Sequence, residues 1–87
     1  MEMNVILGKK RADGTMTFAL NIEGNCVQFD GEVGGSSIDV SWWMRGLPPF
    51  TTIECKNLVD MMAMADYVAD WIDKNADEIP TYREDCQ

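Results

Sequence analysis

The sequence predicts an α+β domain of two layers, a four-stranded antiparallel meander sheet packed on one C-terminal α-helix. Two observations predict it. From Met3 to about Arg45, apolar and polar residues alternate between tight-turn signals, which is the two-residue period of half-buried strands. From Asn57 to about Asn75, apolar residues recur at steps of three and four, the period of an amphipathic helix.

The elements follow in order. "MNVIL" reads as a strand with Met3, Val5 and Leu7 on one face. Asp13-Gly14 accepts the positive φ angles of a tight hairpin. In "TMTFALNI", Met16, Phe18, Leu20 and Ile22 point one way, and Thr15, Thr17, Ala19 and Asn21 the other. Glu23-Gly24-Asn25 is the next turn. "CVQFDGEV" sets Val27, Phe29 and Val33 inside and Cys26, Gln28, Asp30 and Glu32 outside, with Gly31 marking a bulge. After the flexible "GGSS", "IDVSWWMR" turns Ile38, Val40, Trp42 and Met44 inward and Asp39, Ser41, Trp43 and Arg45 outward. A short helix capped by Ser41 is the alternative there. "GLPPF" is a loop, because consecutive prolines continue neither a helix nor a ladder.

The segment from Thr51 supports two readings. Thr51 with Glu54 fits a capping box, and "TTIEC" is β-branched enough for a short strand. Asn57 is a good N-cap, with Asp60 three residues on. Leu58, Met61, Ala65, Val68 and Ile72 form the helix's apolar stripe, widened by Met64 and Trp71. Pro80 stops anything helical. One domain therefore occupies residues 1–80, and residues 81–87 form a polar tail.

Composition narrows the function. The chain has 87 residues, too few for two domains, and 46% of them are apolar, too many for a disordered chain. No apolar run approaches the roughly 20 residues that span a bilayer, and "MEMNVILGKK" lacks the marks of a signal peptide. The expected location is the cytoplasm, with Cys26, Cys55 and Cys86 as reduced thiols. Without histidine or a CxxC pair, no metal or cofactor site is expected. No GxSxG, P-loop, HExxH or dinucleotide fingerprint is present, and an enzyme is not expected.

Net charge is −8, and it is unevenly spread. Residues 1–11 set Glu2 against Lys9, Lys10 and Arg11, for +2; the remaining residues set fourteen acids against four bases, for −10. Such a chain repels nucleic acid and anionic membrane and attracts basic partners.

The acids concentrate in "DYVADWIDKNADE". At about 100° per residue, Asp66, Asp70, Asp73 and Asp77 fall within about 60° of arc opposite the Val68 stripe. Like charges at this spacing weaken an isolated helix, and acids near its C-terminus oppose the macrodipole. A solvated face explains the row in part, but exposed helices usually mix signs. The other reading is an acidic recognition surface. The row spans roughly 16 Å at 1.5 Å per residue, with too few charges to imitate a duplex unaided. Mimicry would need Asp30, Glu32 and Asp39, or Glu78, Glu84 and Asp85.

Trp43 and Tyr67 are the candidate apolar anchors beside the carboxylates, since large aromatics dominate binding hot spots. The bland alternative for Trp43 is cover by the Pro48–Phe50 loop or the tail. Met62 falls toward the polar side of the helix. The basic tip at Lys9–Arg11 suits a phosphate or the acidic face of a neighbouring copy.

In size, charge and absence of motifs, the chain is similar to small acidic proteins carried by phages, anti-CRISPR and anti-restriction proteins among them. That resemblance implies a host-defence antagonist acting by binding. The expected function is a non-enzymatic acidic module. It docks on, and inhibits, a basic nucleic-acid-binding partner protein. Its partner-binding residues are Asp66, Asp70, Asp73, Asp77, Trp43 and Tyr67. The alternative is an assembly protein forming a homodimer or larger oligomer through the sheet edge or the Trp/Met surface.

Overall fold

The structure is a computed structural model that describes residues 3–46 and 48–75, together with Asp77 and Ile79. Expectations for Pro80, Cys86 and the polar tail at 81–87 lie outside the described residues. Five strands precede one helix: β1 (Met3–Lys10), β2 (Thr15–Ile22), β3 (Asn25–Glu32), β4 (Ser37–Trp42), β5 (Thr51–Glu54) and α1 (Met61–Asn75). Every strand pairs antiparallel with the next, so the sheet order is the chain order. The class is α+β as expected, but the sheet has five strands rather than four. The β-branched run decides it: Thr51, Thr52 and Ile53 pair with Val40, Asp39 and Ile38, and the capping-box reading of Thr51 is wrong.

The hairpins obey local chemistry. Ile22 pairs with Asn25 across a two-residue turn in which Glu23 (φ 51°) and Gly24 (φ 89°) both adopt positive φ. That geometry matches the right-handed twist of the flanking strands. Asn21 accepts the Gly24 N–H at 2.9 Å through its side chain. At the first turn, Asp13 accepts the Thr15 N–H at 2.9 Å, and this bond holds the Asp13 carboxyl below its ordinary range.

Two backbone irregularities differ from expectation. No bulge occurs at Gly31, since Met16 pairs with Gly31 in unbroken register. Glycine is needed there for space instead. A Cβ on Gly31 would sit 3.0 Å from Leu58 Cδ1 and 3.6 Å from Ile38 Cγ1. The bulge lies in β1, between Val5 and Leu7. Before it, Met3 and Val5 pair with the inward-facing Ile22 and Leu20; after it, Leu7 pairs with Ala19. One extra residue moves every later side chain to the opposite face. Leu7 therefore does not share a face with Met3 and Val5.

The core forms between the inner face of the sheet and α1. Met16, Ile22, Val27, Phe29, Ile38 and Val40 meet Leu58, Met64, Val68 and Ile72. Trp71 adds an edge-to-face contact to Phe29, with centroids 5.8 Å apart. Val33 and Met44, expected inside, are exposed: Val33 follows the end of β3, and Met44 takes φ 57° just beyond β4. Asn57 does not cap the helix either, because its own φ is 50° in the link from β5. Asp60 is the cap. It accepts the Ala63 N–H through Oδ1 at 2.9 Å and the Met64 N–H through its backbone oxygen at 3.2 Å.

Cys55 is buried and free, whereas Cys26 is disulfide-bonded, so the expectation of three reduced thiols fails at Cys26. Among the described residues, no helix is long and apolar enough to cross a membrane.

Candidate protein-docking surface

The helix carries the candidate surface because its sequence has two sides. Met64, Val68 and Ile72 are its buried residues, one or two turns apart. The positions opposite them are Asp66, Asp70 and Asp73, all exposed. Asp77 lies beyond the last helical residue and is also exposed. Helical phase aligns Asp66, Asp70 and Asp73 on one exposed side; the expected fourth member, Asp77, lies past the end of the helix. Asp70 pairs with Lys74 at 3.1 Å, with both side chains more than half exposed. Among the described residues, Asp66, Asp73 and Asp77 take part in no ion pair or hydrogen bond. Three of the four carboxylates are thus uncommitted within the fold.

The two aromatic candidates are not part of this ridge. Tyr67 is half-buried against the core on one flank of α1. Its hydroxyl accepts the Lys56 N–H at 3.2 Å and donates to the Lys56 carbonyl at 3.4 Å. Trp43 follows the end of β4, and its N–H donates to the Cys26 carbonyl at 3.0 Å. Trp43 is half-buried, and it is Trp42 that stacks on Phe50, with centroids 4.9 Å apart. Tyr67, three residues before Asp70 on α1, thus flanks the ridge with its hydroxyl committed to Lys56, and Trp43 lies off the helix.

The apolar surface next to the ridge comes from elsewhere. Ala65 and Ala69 occupy the flank of α1 nearest β1, and neither is long enough to cover that strand. A groove of about 210 Å³ remains, lined by Met3, Val5, Phe18, Ala65, Ala69 and Ile72 among others, with no charged residue in its walls. Val5 is 70% exposed and Met3 47%; Met62, on the same helix, is 77% exposed. Sequence reasoning missed this groove, although the pair of alanines four residues apart signalled it.

The remaining acids lie on the other layer. Asp30 and Asp39 pair across β3 and β4 and alternate with the buried Phe29 and Val40, so they face away from the helix. With Glu32, Thr15 and Ser37 they line a recess of about 360 Å³. Asp30 already accepts from the Thr17 hydroxyl and the Gln28 amide, each at 2.8 Å, and Arg11 donates to Thr17 at 3.1 Å. These three acids are therefore not aligned with the helical row. Glu78, Glu84 and Asp85 lie outside the described residues. Among the described residues, no three acids, cysteines or histidines are grouped to hold a metal ion.

In comparisons with known proteins, no family model, no curated sequence and no solved structure matches this chain.

Proposed function

We propose that the protein is a non-enzymatic binding module whose acidic helical ridge docks on a basic surface of a nucleic-acid-binding partner protein and blocks that surface. One observation carries this reading: Asp66 and Asp73 project from one side of α1, Asp77 lies exposed just beyond its end, and among the described residues none of the three takes part in an ion pair or hydrogen bond. A row of like charges at helical spacing costs the helix a few tenths of a kcal/mol per pair. Attraction to lysines and arginines of a partner supplies a return for that cost. The net charge of −8 extends the attraction beyond contact range and speeds encounter. Occupying a nucleic-acid-binding surface inhibits its owner. That is the mode of action expected of a phage-like antagonist of host defence, with partial imitation of a nucleic-acid strand as one form of it.

Capture of partners from lysate at two salt concentrations tests the reading. The Debye length falls from about 10 Å at 0.1 M salt to about 3 Å at 1 M, so capture weakens at high salt. Changing Asp66, Asp70, Asp73 and Asp77 to lysine abolishes it. Capture that survives both treatments refutes the ridge as the docking surface.

The reading sets this activity in the cytoplasm, where such partners work. The disulfide at Cys26 weighs toward an oxidising compartment, where these bonds persist. Alkylating the protein from its native host under denaturing conditions without reductant decides between them: a modified Cys26 means a reducing compartment, and a Cys26 modified only after reduction means an oxidising one.

A further inference from the structure

We infer that the open edge of β1 and the apolar groove beside it receive a second copy of this chain, edge to edge, in a two-fold symmetric dimer. This goes beyond the docking reading and does not depend on it.

The argument starts from the two ends of the sheet. β5 has four residues, whereas β1 has eight and, among the described residues, has no strand on its outer side. A long edge strand presents unpaired backbone N–H and C=O groups, which are a template for another strand. Edges are usually blunted by charge, proline or cover. Among the described residues, the first half of β1 has none of these, and its Met3 and Val5 stand exposed over the groove.

Charge selects the occupant. The helix begins beside Gly8, where a Cβ would lie 4.0 Å from Met61 Cε, and its later turns flank Val5 and Met3. The helix therefore runs antiparallel to β1, and its later carboxylates lie toward the Met3 end. By helical phase Asp66 and Asp73 lean to the Ala65/Ala69 flank, which is the groove side. Lys9 and Lys10 lie at the opposite end of β1, both exposed. A strand that fits this edge needs an apolar run for the groove and cations at one end for Asp66 and Asp73. The chain's own "MNVILGKK" has that composition. Antiparallel pairing of two β1 strands about their middle brings Lys9 and Lys10 of each copy to the Met3 end of the other, where Lys10, opposite the inward-facing Met16, points to the helix side and Lys9, opposite Thr17, to the other face. Both contacts then form at once, as an isologous interface requires. The bulge between Val5 and Leu7 confines the new ladder to the halves on either side of it. The two sheets become one continuous sheet across the axis.

Light scattering on the full chain after gel filtration, with charge-swap variants, tests this. The wild type is expected at twice 9.8 kDa, with the dimer fraction falling on dilution and in high salt. Val5→Arg is expected to yield the monomer mass. So are Lys9→Glu with Lys10→Glu, and separately Asp66→Lys with Asp73→Lys. All four charge changes together are expected to restore the dimer. Circular dichroism confirms that each variant is folded, and amide exchange in β1 is expected to quicken whenever the dimer is lost. A wild type that stays monomeric at every concentration overturns the inference, as does a dimer indifferent to the single swaps. A monomer that still captures a basic partner overturns the dimer alone and leaves the docking reading standing.

Discussion

Tyr67 holds Lys56 by both of its backbone groups, taking the N–H at 3.2 Å and giving its own proton to the carbonyl at 3.4 Å. The two residues are eleven apart, one in the link after β5 and one in the second turn of α1. The helix is thereby pinned to the strand that the sequence left ambiguous. Tyr67→Phe keeps the ring and removes both bonds. It is expected to cost about 1 kcal/mol in urea unfolding, because the bonds are partly exposed and net hydrogen-bond contributions are of that order.

Gly31 gives a sharper test of packing. Leu58 Cδ1 would lie 3.0 Å from an added Cβ, and Leu58 is fully buried. Gly31→Ala is expected to destabilise the fold by about 1–3 kcal/mol, the range for an overpacked core. Adding Leu58→Val to Gly31→Ala is expected to cost less than the sum of the single changes. Simple additivity in that double-mutant cycle would remove the steric account.

The cap at Asp60 predicts a loss confined to the start of the helix. Asp60→Ala is expected to cost about 1 kcal/mol, the usual value for a lost N-cap, with Asp60→Asn much milder. Asn57→Gly, by contrast, relieves a positive φ and is expected to be neutral or stabilising. Thermal melts of the three variants give the comparison directly.

The ridge predicts a separation of stability from binding. Asp66, Asp73 and Asp77 contribute no internal bond among the described residues, so at a dilution where the wild type is monomeric, neutralising all three to asparagine is expected to leave the unfolding midpoint unchanged or raise it slightly. Lys74→Ala is expected to cost only about 0.3–0.5 kcal/mol, as exposed pairs one helical turn apart do. A large loss of stability in the asparagine triple variant would mean that these carboxylates serve the fold.

Cys55 supplies a pH dependence. Burial raises its thiol pKa above the ordinary 9.0. The unfolded thiol ionises first as pH rises, so the folded state then binds more protons than the unfolded one. The corresponding stabilisation is complete below pH 9.0 and is lost as pH climbs through the folded value. Urea midpoints measured upward from neutral pH are expected to fall more steeply in the wild type than in Cys55→Ala.

The fold was largely legible because its turns and periods are local. The alternation of Met16, Phe18, Leu20 and Ile22, and the steps through Met61, Val68 and Ile72, each state a face without reference to the rest of the chain. The misreadings share a different cause. Nothing within "TTIEC" decides between a capped turn and a strand; Val40, Asp39 and Ile38 decide it by offering an unpaired edge. The bulge before Leu7 has no sequence mark, and Gly31, which resembles one, is small because Leu58 arrives from 27 residues downstream. The carboxylate row was readable because a helix fixes it by phase alone. The groove beside β1 was not read, since it depends on which strands the helix covers and which it leaves bare.

The sequential strand order has a consequence for how the chain acquires its shape. Each strand finds its neighbour immediately upstream, so loop closures within the sheet are short and their entropic cost is small. Proteins with such local connectivity fold quickly for their class. During synthesis the hairpins can zip one after another as they emerge, and α1, made after them, is the lid that turns a collection of marginal ribbons into a cooperative whole. A nascent chain stalled before Met61 would expose Met16, Phe29 and Val40 together, and ribosome-bound intermediates of that length are where aggregation should begin.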